Sequence, residues 1–174
     1  MVRRTIDSPA SLDARQVFRV NPDFMREALA LAREHMLAGE GGPFGAVLVQ
    51  EGRVVARGWN RVTSTWDPTA HAEVECLRAA GRALKRFSFA GCELYSSCEP
   101  CPMCLAACHW ARLDRIYFAA SRDDAAAAGF DDALLYRELA RADGSALLPR
   151  VPLLTTEGAE VFQLWRAKAD KIAY

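Results

Sequence analysis

The chain carries no net charge, because its 174 residues contain Lys+Arg 22 against Asp+Glu 22. Proteins that live by neutralising phosphates usually show excess Lys and Arg. The balance therefore argues against a polynucleotide partner, although Arg82, Lys85 and Arg86 form a local basic group. No run approaches the ~20 apolar residues of a membrane span. The first stretch, with Arg3, Arg4, Asp7 and Asp13, lacks the apolar segment of a secretory signal, so a cytoplasmic address is expected. No internal repeat or low-complexity linker divides the chain. Gly41-Gly42-Pro43 is a turn that lacks the Lys-Ser/Thr pair of a phosphate loop.

A length of 174 residues suits one domain, whose core needs no disulfides to fold. Residues 1–20 show no sustained periodicity and read as an N-terminal arm, which leaves 21–174 as a single domain. Asn21-Pro22-Asp23 supplies an N-cap, a proline at the first helical position and an early acid. Apolar residues then recur at helical spacing up to Met36, and Gly39 ends the pattern. The apolar run Phe44 to Val49 suits a buried strand, which Glu51-Gly52 turns so that Val54 to Gly58 returns as a hairpin. Asp67-Pro68-Thr69 opens a second helix that runs through Leu84. A strand over Cys92 to Ser96, a helix from Pro100 and Pro102 to about Arg112, and a strand over Arg115 to Ala119 follow. Ala125 to Ala140 is helical in content with Gly129 interrupting it, Val151 to Thr155 makes a fifth strand, and residues 157–174 form an amphipathic C-terminal helix with Val161, Leu164, Trp165 and Ala169 on one side. Strands alternating with helices after a hairpin predict an α/β sandwich with a five-stranded mixed sheet.

Against this ordinary background the cysteines stand out. There are 6, and Cys98, Cys101, Cys104 and Cys108 are crowded together. In a reducing compartment such crowding points to metal or catalysis rather than cross-links. A catalytic zinc takes three protein ligands and leaves a fourth position to water, and His71 with Cys101 and Cys104 makes such a set. Two cysteines three apart at a helix start point the same way, where the helix dipole favours thiolates. A zinc held so lowers the pKa of its water to about 7. A nearby carboxylate would move the protons. Residues two apart on a helix face nearly opposite ways, so Glu73 reaches the site of His71 only at an irregular first turn, and by spacing alone Glu75 would be the better partner. The pattern of zinc deaminases, in which the shuttle stands two after the histidine, favours Glu73.

The plainer readings are specific too. A lone histidine on a helix is more often a packed or surface residue, and a lone C-x-x-C is ambiguous. The four crowded cysteines also match the C-x2-C-x2-C-x3-C spacing of an iron–sulfur ferredoxin. That reading lacks the following proline, since His109 stands there, and leaves His71 and Glu73 without a role.

Gly42-Pro43-Phe44-Gly45-Ala46-Val47, His71-Ala72-Glu73, Pro100-Cys101-Pro102-Met103-Cys104 and Trp110-Ala111-Arg112 resemble the cytidine-deaminase superfamily. Ala128-Gly129-Phe130-Asp131-Asp132, Tyr136-Arg137-Glu138 and the ending from Trp165 to Tyr174 narrow the resemblance to the bacterial guanine deaminases. The resemblance implies a three-layer α/β/α fold and one Zn2+ per chain on His71, Cys101 and Cys104. It also implies Glu73 as proton shuttle, Asp132 as a second catalytic acid beside the exocyclic amine, and hydrolysis of guanine to xanthine and ammonia. Asn60, Phe44, Ala72, Trp110 and Tyr174 would contact the purine, with Tyr174 reaching a neighbour's pocket in a homodimer that exchanges its C-terminal segment. Deaminases of tRNA adenosine, cytosine, guanosine or ammeline share the chemistry and are its rivals. His109 and Leu113 depart from the family pattern around the tryptophan and bear on the local pocket wall. Asp131-Asp132 equally suits a helix start, Phe44 and Trp110 equally suit core packing, and Asn60 equally suits a turn.

Overall fold

A computed structural model describes residues 20–130, 132–141 and 148–172. Nearly all of the expected arm, Asp131 and Tyr174 lie outside the described residues. Asn21 starts the first helix, α1 (Pro22–Leu37), with its side chain accepting from the Asp23 amide at 2.9 Å. That bond satisfies one of the amides a helix start leaves without a partner. Beyond the helix, Gly39 adopts φ +74°, and the chain turns into β1 (Gly45–Gln50). Glu51 and Gly52, at φ 51° and 72°, close a tight hairpin to β2 (Arg53–Trp59). Positive φ at both central positions matches the twist of the two strands.

A short turn of helix, α2 (Val62–Thr65), which sequence periodicity does not suggest, precedes α3 (Ala72–Leu84). The second helix therefore begins later than Asp67-Pro68-Thr69. Asp67 instead bends the chain, its Oδ1 accepting from the Thr69 amide at 2.8 Å. Then come β3 (Cys92–Cys98), α4 (Pro102–Trp110) and β4 (Arg115–Ala120). β1 pairs antiparallel with β2 and β3, while β3 and β4 run parallel, giving the order β2-β1-β3-β4. Parallel neighbours need a crossover, and α4 provides it.

Alternation along the strands builds two cores. Ala46, Leu48, Cys92 and Leu94 face one side with Ala72, Cys76, Ala80 and Cys108 from α3 and α4. Val47, Val49 and Tyr95 face the other with Ala28 of α1 and the half-buried Phe24 and Leu31. The layers are helix, sheet and helix, as expected.

The sheet has four described strands and not five. Val151 and Leu153 are exposed and irregular, Leu154 has φ 51°, and Thr155 already begins a helix, α7 (Thr155–Ala167). No described strand lies beside this segment to take its backbone hydrogen bonds, so its β-branched and leucine content does not produce a strand. Between β4 and α7 lie α5 (Arg122–Ala127) and α6 (Ala133–Ala140), separated at Gly129 with φ +92° where the sequence suggests a break. Among the described residues no helix is long and apolar enough to cross a membrane.

Candidate active site

Two helix starts meet beyond the ends of β1 and β3. His71 is the N-cap of α3 and Cys101 the N-cap of α4, both with extended backbone, and Cys104 lies in the first turn behind Pro102. Extended backbone at an N-cap turns the side chain away from the helical spiral. His71 and Glu73 therefore converge although they are two apart in sequence. The metal-ligating atoms of His71, Cys101 and Cys104 lie within 4.8 Å of one another, and they are the residues so grouped among those described. His71 Nδ1 is 3.7 Å from Cys101 Sγ and 3.5 Å from Cys104 Sγ. Tetrahedral zinc with ordinary Zn–S and Zn–N bonds sets its sulfur and nitrogen ligands about 3.6 Å apart. Both nitrogen–sulfur distances suit zinc, with Nδ1 as the nitrogen ligand.

The local electrostatics suit a cation. The Cys104 thiol hydrogen-bonds Cys101 and pushes its thiol down to about 4, with His71 adding to the effect. The same bond and burial push Cys104 up. Cys101 in turn raises His71. The starts of α3 and α4 add positive potential that favours thiolate. Cys98 and Cys108 differ. Burial pushes their thiols up to about 11 and about 12, and neither belongs to the ligand triangle. Four cysteines around one cluster are thus not what the chain builds. Cys98 instead approaches the Ser121 carbonyl at 3.6 Å, and Cys108 packs in the core.

Glu73 is buried beneath the triangle and accepts from the Ser96 hydroxyl at 3.1 Å. Burial pushes its carboxyl above the usual range against the opposing hydrogen bonds from Cys104 and Ser96. Glu75 points elsewhere, its carboxylate 2.6 Å from Arg78 Nη1 on the exposed side of α3.

A cavity of about 540 Å³ opens over these groups, within the size range of small-molecule sites. His71, Glu73 and Cys101 line it together with Phe44, Asn60 and Asp132. Asn60 is buried, and its Oδ1 accepts from the amides of Gly42 at 3.0 Å and Val62 at 3.2 Å. With both contacts on the oxygen, the NH2 group is the part left to donate. Phe44 meets Phe130 edge to face, with centroids 4.9 Å apart.

Other expected contacts fall differently. Ala72 is fully buried in the core on the sheet side of α3 and contributes no side chain to the cavity. Trp110 does not wall the cavity of its own chain. It ends α4 about 12 Å of helical rise from Pro102, is 64% exposed, and lies under the Arg112 guanidinium at 5.7 Å. Leu113 packs against the core, whereas His109 is exposed. Phe130, Glu99, Arg122 and the Gly41-Gly42 backbone also line the cavity. The sequence motifs give them no role, although Phe130 lies within the Ala128 to Asp132 motif and Glu99 adjoins the Pro100 to Cys104 one. Ser96 carried no signal at all, because its partner is 23 residues away.

The sandwich, with its histidine and two cysteines at paired helix starts over a buried glutamate, defines a zinc-dependent deaminase. Residues 19–120 match the cytidine and deoxycytidylate deaminase zinc-binding region, and the chain belongs to that family. Among its relatives is a guanine deaminase of Bacillus subtilis, 46% identical over 151 residues that cover 87% of this chain and 97% of the relative. An X-ray structure of guanine deaminase from Bacillus subtilis superposes with a TM-score of 0.85 at 45% identity, covering 90% of this chain and 99% of that one. A tRNA-specific adenosine deaminase of Agrobacterium fabrum is 48% identical over 99 residues, covering 56% of this chain and 63% of the relative.

Proposed function

We propose that the chain hydrolyses guanine to xanthine and ammonia. The observation that carries the proposal is one cavity lined by buried Glu73, by His71 and Cys101 of the ligand triangle and by Asn60, whose NH2 group is left to donate. Near-full-length similarity to a guanine deaminase, over 87% of the chain, supports it, whereas similarity to the adenosine deaminase of tRNA covers 56% of the chain.

His71, Cys101 and Cys104 would hold zinc, which supplies the Lewis acidity that makes water nucleophilic near neutral pH. Glu73 takes the proton that water loses as it adds to C2, and delivers a proton to ring N3. Its desolvated position brings its proton affinity nearer to that of the groups it serves. The Ser96 hydroxyl holds the carboxylate in place during both transfers. A second proton, lost by the hydroxyl added at C2 as that carbon becomes a carbonyl, must reach the departing nitrogen so that the C2–N bond breaks with release of ammonia, and Asp132, which lines the cavity, would assist its transfer. Asn60 donates to an acceptor of the purine, and Phe44 packs against the ring.

The working unit in this reading is a cytoplasmic homodimer in which residues 157–174 cross to the partner and Tyr174 helps close its cavity. The exposure of Val161, Phe162 and Leu164 on α7, 64%, 71% and 71%, supports a covering partner. Zinc-loaded protein assayed for ammonia release should turn over guanine faster than guanosine, ammeline, cytosine or a tRNA carrying adenosine. Faster turnover of any other member of that panel would overturn the assignment. Metal analysis should give one zinc per chain.

A further inference from the structure

One wall of the cavity is backbone. The connection between α1 and β1 brings Gly41 and Gly42 against Asn60, so closely that a Cβ on Gly41 would collide with the Asn60 carbonyl. The Gly42 amide is also one of the two donors that fix the Asn60 oxygen. Glycines contribute no side chain to hold such a segment in place, yet the preceding residue is firmly tied. Glu40 Oε2 accepts from the Trp59 indole N–H at 2.7 Å, and its Oε1 lies 3.1 Å from His35 Nδ1. The His35 and Trp59 rings stack face to face, with centroids 3.7 Å apart and planes 4° from parallel. Three side chains from the end of α1, the connection and the end of β2 thus close a cluster. It stands one residue from both Gly41 and Asn60.

We propose that Glu40, with His35 and Trp59, is a positioning cluster for purine recognition, holding the Gly41-Gly42 backbone where it orients the Asn60 amide toward the substrate. The inference rests on the reading that Asn60 contacts the purine. None of the three side chains lines the cavity, so each acts through the backbone it anchors. Glu40 is suited to the task as a carboxylate, since His35 and then the Trp59 N–H hold its carboxyl below the usual range. If Glu40 releases the loop, Asn60 loses one of two bonds to its oxygen, and its NH2 is no longer confined to the substrate side. The groups around Glu73 are held by other contacts, Ser96 among them, and should keep their places.

The test combines steady-state kinetics on guanine with peptide-resolved amide exchange. Glu40→Ala should raise KM about tenfold, the scale of one lost hydrogen bond, with kcat within about twofold. Zinc content should be unchanged, and the peptide containing Gly41 to Phe44 should exchange faster. Glu40→Gln keeps an acceptor for the Trp59 N–H and should restore most of the affinity. In an Asn60→Ala background the further effect of Glu40→Ala should fall below about twofold, because both changes remove the same contact. Multiplying effects in the double variant, unaltered exchange, or a fall in kcat and zinc content alike would each overturn the inference. Asn60→Ala with an unchanged KM would overturn the purine contact itself, and the inference with it.

Discussion

His71 and Cys101 occupy the same backbone position in two different helices, and that position explains the chemistry around them. An N-cap residue has not yet entered the spiral, so its side chain leaves the helix in a direction that residue spacing does not describe. His71 at the cap and Glu73 inside the first turn of α3 thereby face one point, where ideal helical geometry would set them apart. Glu75, better spaced on paper, pairs with Arg78 instead. Burial gives Glu73 an elevated proton affinity, and Ser96 gives it a fixed direction. Glu73→Gln preserves the hydrogen bond and the volume but cannot carry a proton. It should retain one zinc per chain while guanine turnover falls at least ~10²-fold, measured by ammonia release beside metal analysis.

At the scale of elements, the site depends on how closely α3 lies against β2. Gly58 makes that approach possible, for a Cβ there would collide with the Cys76 amide nitrogen and the Ala72 carbonyl oxygen. Gly45 does the same for α1, against the Ala28 carbonyl and the Ala32 amide. Gly58→Ala should destabilise the fold by about 1–3 kcal/mol in denaturant titration, the cost typical of overpacking. Because α3 carries both His71 and Glu73, the same variant should bind zinc more weakly, whereas an alanine at exposed Gly158, where nothing crowds a Cβ, should do neither. Most elements were legible from capping residues, glycines and apolar periodicity, which act over a few residues. The exceptions have different causes: Asp67 locally forms a turn rather than a helix start, and Val151 to Thr155 has strand-forming residues but no place among the described strands of the sheet.

For the whole molecule, the telling feature is α7. Val161, Phe162, Leu164 and Trp165 make it apolar, yet the sheet and its helical layers leave them exposed. An exposed stripe of this kind favours association. If the proposed dimer forms through α7, Trp165→Asp should sediment as a monomer where the wild type sediments as a dimer, and should lower guanine turnover with it. A monomeric wild-type protein would refute the exchange. The position of Trp110 belongs to this scale as well, since the far end of α4 lies remote from the site of its own chain.

The sequence by itself determined the composition that disfavours polynucleotides, the order of most elements, and the zinc ligand set, because cap residues and the spacing of Cys101 and Cys104 act locally. It also held the motifs that mark the deaminase family. Only the tertiary structure decided how Glu73 reaches the site of a histidine two residues away, where Cys98 and Cys108 pack instead, and which way the Asn60 amide faces. Those outcomes depend on approaches between residues far apart in the chain: Ser96 to Glu73, His71 to the cysteines, Gly42 to Asn60 and Trp59 to Glu40. Each such contact is made only when close packing of helices on the sheet brings its two ends within hydrogen-bonding or metal-binding distance, and no periodicity in the sequence encodes that distance.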